Sequence, residues 1–131
     1  MLGFVGGEVQ GDDDAEVVIR SGMLGIAEAT TVDHTEYMTE VKSQGGCGSC
    51  WAFAATSALE GTIGLNNSEV SIRLSEQQSV DCTRNTQENI DRFGKNYGMY
   101  GCGGGWMAPS WEFMKDQGAM TNADYPYKGK N

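Results

Sequence analysis

The stretch Gln44-Gly45-Gly46-Cys47-Gly48-Ser49-Cys50-Trp51-Ala52-Phe53 decides how this chain is read. It joins an amide side chain, a glycine-rich turn and a cysteine placed at the start of a helix. From Trp51 to Leu59 the residues are rich in Ala, Leu and Phe, with no Pro or Gly until Gly61, which predicts a helix over about residues 50 to 61. Ser49 stands where a cap belongs and Cys50 falls in the first turn. A thiol there meets unpaired backbone amides and the positive end of the helix dipole. Both favour the thiolate, the reactive species. This is the layout of a sulfur nucleophile beside half of an oxyanion hole.

The flanking sequence carries further blocks in order: Val41-Lys42-Ser43-Gln44-Gly45 before the quoted stretch, Leu74-Ser75-Glu76-Gln77 to Asp81-Cys82 after it, then Gly101-Cys102-Gly103-Gly104-Gly105, and Asp124-Tyr125-Pro126-Tyr127-Lys128-Gly129. Cys47-Gly48-Ser49-Cys50-Trp51 is a full match to the local signature around the nucleophile of papain-like cysteine peptidases. From residue 32 to residue 131 the chain resembles that family.

The resemblance implies an α+β fold of two lobes with the active site between them. This chain matches mainly the α-helical lobe, preceded by a strand-like lead-in, and the β-barrel-like lobe is missing. It also implies hydrolysis of peptide bonds through a Cys50 thiolate and a thioester intermediate. The Gln44 side-chain amide and the Cys50 backbone N–H would donate to the oxyanion. Gly104 and Gly105 would leave room for an extended substrate backbone, with Trp106 and Met107 near the neighbouring specificity pockets. Gly103 departs from the Asn often found at its position. By the same resemblance Cys47 pairs with Cys102, Cys50 stays free, and Cys82 would pair with a cysteine further on, leaving it an orphan thiol here.

The family's catalytic His and Asn fall about 130 to 150 residues after the nucleophile. The chain has 131 residues and one histidine, His34, which lies upstream of Cys50. His34 is read as a surface or interdomain side chain, and the whole as a fragment, or one chain of a processed enzyme, that is inactive alone. Its partners would be peptide or protein substrates and the missing C-terminal lobe. Residues 1–31 form an unassigned leader that matches a propeptide tail by position, and 32–131 the incomplete peptidase domain.

Eighteen acidic residues against nine basic ones give a net charge of −9, with no basic cluster, which argues against nucleic acid as a partner. No apolar stretch approaches the length that spans a bilayer, so no membrane partner is expected. The four cysteines form one close pair and two lone residues, which lacks the spacing of a zinc module; neither a metal nor a cofactor is expected. Lysosomal, vacuolar or secreted placement follows from the resemblance, although no signal peptide is visible. Asn66-Asn67-Ser68 is a glycosylation sequon consistent with export.

Two rival functions use the same residues. Cys47-Gly48-Ser49-Cys50 is a C-x-x-C at a helix start, as in thiol-disulfide oxidoreductases, but it lacks their βαβ setting. A non-catalytic papain-like lobe that binds a partner protein is the other.

Further helices are expected over about residues 75 to 82, with Ser75 and Gln78 as a capping box, and over about 107 to 117. Met107, Trp111 and Met114 would share the buried face of the latter. Residues 83 to 99 read as an inserted surface loop anchored by Ile90, Phe93 and Tyr97. Residues 32 to 41 are expected to pack poorly without the other lobe.

Overall fold

The computed structural model describes residues 31–68 and 70–131, so the leader expected at 1–31 lies outside the described residues except for Thr31. Four α-helices follow in order: α1 (Cys50–Asn66), α2 (Glu76–Cys82), α3 (Gln87–Phe93) and α4 (Met107–Gln117). Short 3₁₀ turns occupy Thr35–Tyr37 and Gly101–Gly103. Among the described residues there is no strand, only isolated bridges at Leu74–Thr121 and Arg84–Met99. The lead-in is therefore a 3₁₀ turn and irregular chain, not the strand-like segment expected. The helical lobe is present as read.

α1 runs five residues beyond its predicted end, through Gly61 and Gly64. Both glycines serve close packing. A Cβ at Gly61 would stand 2.7 Å from the Met38 sulfur, and one at Gly64 would stand 2.7 Å from the Tyr37 carbonyl oxygen. The lead-in thus lies flush on the last turns of α1, while Val41 and Met38 still present apolar surface to solvent.

Two apolar clusters fix the helices against each other. Trp51, Ala52, Val80 and Met99 join α1 to α2, with Cys102 packed alongside. Tyr97, Phe113 and Met114 form the second, with Leu59, Cys82 and Phe93 against it. Phe113 takes the edges of both Phe93 and Tyr97, with ring centroids 5.2 and 5.3 Å away. Trp51 and Phe113 are almost wholly buried, each worth about 1.5–3 kcal/mol of hydrophobic free energy.

Two expectations need correction here. The stretch 83–99 is not all loop, because Thr86 caps α3 by accepting from the Asn89 N–H at 3.3 Å and Gly94 ends it in the left-handed region at φ 69°. Trp111 is not core. The buried stripe of α4 is Ser110, Phe113 and Met114, and the neighbouring position is turned about 100° away on a 3.6-residue helix. Trp111 remains 43 % exposed and Met107 41 % exposed, and the Trp111 indole N–H donates to the Ala55 carbonyl at 2.9 Å.

α2 is buried along most of its length although it reads Glu-Gln-Gln-Ser-Val-Asp-Cys. Each buried polar group has a partner. Ser75 accepts from the Gln78 N–H at 3.0 Å and donates to the Tyr125 carbonyl at 2.6 Å. Half of the capping box forms, because the Gln78 side chain turns away to bind the Gly118 carbonyl and the Met120 N–H. Gln77 accepts from the N–H groups of Lys128 and Gly129 and donates to the Lys130 carbonyl. Glu76 and Glu60 both hold Lys42 at 2.6 Å, with side chains of all three 8 % exposed or less. Glu60 also accepts from the Leu74 N–H and the Thr39 hydroxyl, and Glu76 from Thr56. The knot ties the lead-in to α1 and α2 at once.

Candidate active site

Cys50 opens α1 and is exposed, and its thiol is free. Ser49 holds the N-cap position but does not cap, since its φ of −101° and ψ of 17° are not the extended values a capping residue adopts. Its hydroxyl lies 2.6 Å from the Tyr127 hydroxyl instead. Tyr127 spends its single proton on the Gln44 carbonyl at 2.8 Å, so Ser49 donates to the phenol oxygen. The Ser49 side chain therefore binds none of the first-turn amides of α1, and the Ala52 and Phe53 N–H groups donate instead to the Ser49 carbonyl at 2.9 and 3.2 Å.

Gln44 is held from two sides. Its side-chain amide donates to the Cys47 carbonyl at 2.9 Å, closing the turn that leads into α1, while its own carbonyl is pinned by Tyr127. An amide nitrogen carries two N–H groups, and the Cys47 contact uses one. Tyr127 in turn stands edge-on to Phe53 of α1, with centroids 4.9 Å apart.

The glycine strip lies against the same end of α1. Cys47 and Cys102 are bridged with Cα atoms 4.6 Å apart. The Gly48 N–H donates to the Cys102 carbonyl at 3.0 Å, and the Trp51 indole donates to the Gly101 carbonyl at 3.2 Å. A Cβ on Gly48 would fall 2.5 Å from that Cys102 oxygen, so no other residue fits this contact. Closing a loop of 55 residues is worth about 4 kcal/mol in the chain-entropy account of disulfides. The C-x-x-C is not bridged as a pair, because Cys47 is bonded to Cys102 and Cys50 is a free thiol.

Gly104 and Gly105 differ. Nothing stands within 4 Å of a Cβ built on Gly104, whose φ is 118°, whereas at Gly105 the Trp51 ring and the Met99 sulfur lie 2.8 Å away. Gly105 is glycine because the strip packs directly on Trp51, a reason the sequence did not reveal. Trp106 is 73 % exposed and Met107 follows it at the head of α4.

His34 has no part in this arrangement. Its carbonyl is bonded by Tyr37, and Tyr37 packs on Gly64, fourteen residues along α1 from Cys50 or about 21 Å at 1.5 Å per residue. The three residue steps from His34 to Tyr37 reach at most about 10 Å.

Cys82 closes α2 and is half-buried. Burial pushes its thiol up from the ordinary 9.0, the Asp81 carboxylate adds to the shift, and Arg92 opposes it. Sequence reasoning overlooked Tyr127, although the Tyr-Pro-Tyr block was visible. What it touches depends on how the end of the described chain folds back onto residue 44.

The sequence model of the papain family of cysteine proteases matches residues 28–131. The chain belongs to this family. It is 46% identical over 95 residues to digestive cysteine proteinase 3 of Homarus americanus, covering 72% of this chain and 26% of that protein. With cathepsin S of Mus musculus it shares 44% identity over 101 residues, covering 75% and 27%. Among solved structures, digestive procathepsin L 3 of Tenebrio molitor larval midgut superposes with a TM-score of 0.60 at 37% identity, covering 72% of this chain and 27% of that one. The Carica candamarcensis cysteine protease in complex with E-64 gives 0.63 at 32%, covering 78% and 42%. The chain spans about a quarter of the length of these curated relatives. Among the described residues no helix is long and apolar enough to cross a membrane.

Proposed function

We propose that this chain supplies the nucleophile-bearing half of a papain-type peptidase site, with Cys50 as nucleophile. The observation that carries the reading is a free, exposed Cys50 at the head of α1, while its neighbour Cys47 is locked to Cys102. The thiolate attacks the scissile carbonyl and the negative charge moves to the carbonyl oxygen. The Cys50 N–H and the second amide N–H of Gln44 stabilise it there, an effect whose loss typically costs about 10²–10³ in rate. An imidazolium from a complementary lobe protonates the leaving amine, and water then hydrolyses the thioester. The substrate strand runs along Gly104 and Gly105, with Trp106 and Met107 lining pockets for apolar side chains.

The single imidazole, His34, is remote from Cys50, so the 131-residue chain alone is expected to show no enzymatic turnover of a fluorogenic peptide. A peptidyl electrophile nevertheless should label Cys50 at least about tenfold faster than its non-peptidyl analogue, because the strip belongs to this half. Equal labelling by the two reagents would remove the substrate-binding reading. Turnover that disappears in Cys50→Ala would return His34 to the mechanism.

A further inference from the structure

One sequence feature is left unused by the peptidase chemistry. The chain holds a single N-x-S/T triplet, Asn66-Asn67-Ser68, with no proline in its middle or directly after it. α1 ends on Asn66, the next residue is extended at φ −150° and ψ 92°, and the Val70 N–H turns back to the Asn67 carbonyl at 2.9 Å. All three residues of the triplet are exposed. Asparagine at a helix end commonly supplies a left-handed cap. That role is not filled here, since no described non-glycine residue has a positive φ. A left-handed cap therefore does not explain the pair of asparagines.

We propose that Asn66 is an N-glycosylation site, modified from a lipid-linked pyrophosphate oligosaccharide. In the transfer, the Asn66 side-chain nitrogen forms a bond to the anomeric carbon of the first sugar. The bond from that carbon to the pyrophosphate oxygen breaks, the lipid pyrophosphate leaves, and the amide loses one proton to the transferase. The side-chain nitrogen begins with two N–H groups and donates one to the Thr62 carbonyl at 2.8 Å. The glycosylated amide retains one N–H, so this contact survives the modification. The Cys47–Cys102 bridge independently places the chain in an oxidising compartment, the setting in which such transfer takes place.

The position also keeps the glycan away from the chemistry. Asn66 and Cys50 are the last and first residues of α1, about 24 Å apart along its axis.

The test is secretion of the full chain from a eukaryotic host behind an added leader, with Cys47–Cys102 mapped in the same sample as proof of passage through the oxidising lumen. Peptide-N-glycosidase in heavy-oxygen water should mark Asn66 as heavy aspartate. Ser68→Ala should abolish the mark, and Ser68→Thr should retain or raise it. Bridged chain with an unmodified Asn66, or a glycan that survives Ser68→Ala, overturns the assignment. Alkylation of Cys50 should change by less than about twofold on removing the glycan, as expected for a site a full helix away; a tenfold change would overturn the distal placement.

Discussion

Cys50 and Cys82 are both free thiols at helix ends, and the fold treats them in opposite ways. Cys50 begins α1, exposed, where the helix presents N–H groups and partial positive charge. Cys82 ends α2, half-buried, where the helix presents carbonyls, and burial and Asp81 both work against its anion. The side chains are chemically identical. What separates the two sulfurs is the direction of the helix, the access of water and the charge next door.

The comparison depends on α1 and α2 being held together, so its largest disturbance should come from Lys42→Ala. That substitution leaves Glu60 and Glu76 buried with no cation between them and should destabilise the chain by about 3–5 kcal/mol. Urea unfolding measures the loss, and Cys82 should become as reactive as Cys50. A loss below about 1 kcal/mol would mean the knot is replaceable.

In the intact chain, competitive alkylation at neutral pH should favour Cys50 over Cys82 by at least about tenfold. Raising the pH should narrow the gap as the Cys82 thiol, held above its ordinary 9.0, begins to ionise. Equal rates at neutral pH would end the contrast.

Tyr127→Phe sharpens it further. The ring stays on Phe53 while the bonds to Gln44 and Ser49 disappear. Neutral hydrogen bonds contribute about 0.5–1.5 kcal/mol each, so a severalfold fall in the Cys50 to Cys82 labelling ratio is expected. An unchanged ratio would deny Tyr127 any part in positioning the site.

The smallest effect concerns Tyr125, whose hydroxyl donates to Asp81 at 2.9 Å beside Cys82. Burial first, and then Asp81, push its phenol up from 10.0 to about 12. The folded value exceeds the unfolded one, so this contribution is fully present below pH 10 and is lost as the pH rises through about 12. Tyr125→Phe should flatten the fall in stability between pH 10 and about 12, read from urea midpoints.

Much of this was legible in the sequence. Three of the four helices, that of Cys50 among them, follow from local grammar, because caps, glycines and apolar runs act over a few residues. The Cys47–Cys102 bridge was legible only through the resemblance. Long-range close packing was not. Gly61 read as the end of a helix but, with Gly64, is a contact point for Met38 and Tyr37, and Gln78 read as the partner in a capping box but, with Gln77, grips a distant segment. α3 was hidden because seven polar-rich residues carry little periodicity, and its signals are the Thr86 cap and Gly94.

The grip of Gln77 and Gln78 on residues 118 to 130 is made of amides and backbone groups. None of these gains or loses a proton between neutral pH and strong acid. The Lys42 knot, by contrast, is one ammonium held between two carboxylates. The two segments are therefore fastened by unlike chemistry, the lead-in before Cys50 by opposite charges and the tail carrying Tyr127 by neutral amides that a change of pH leaves untouched.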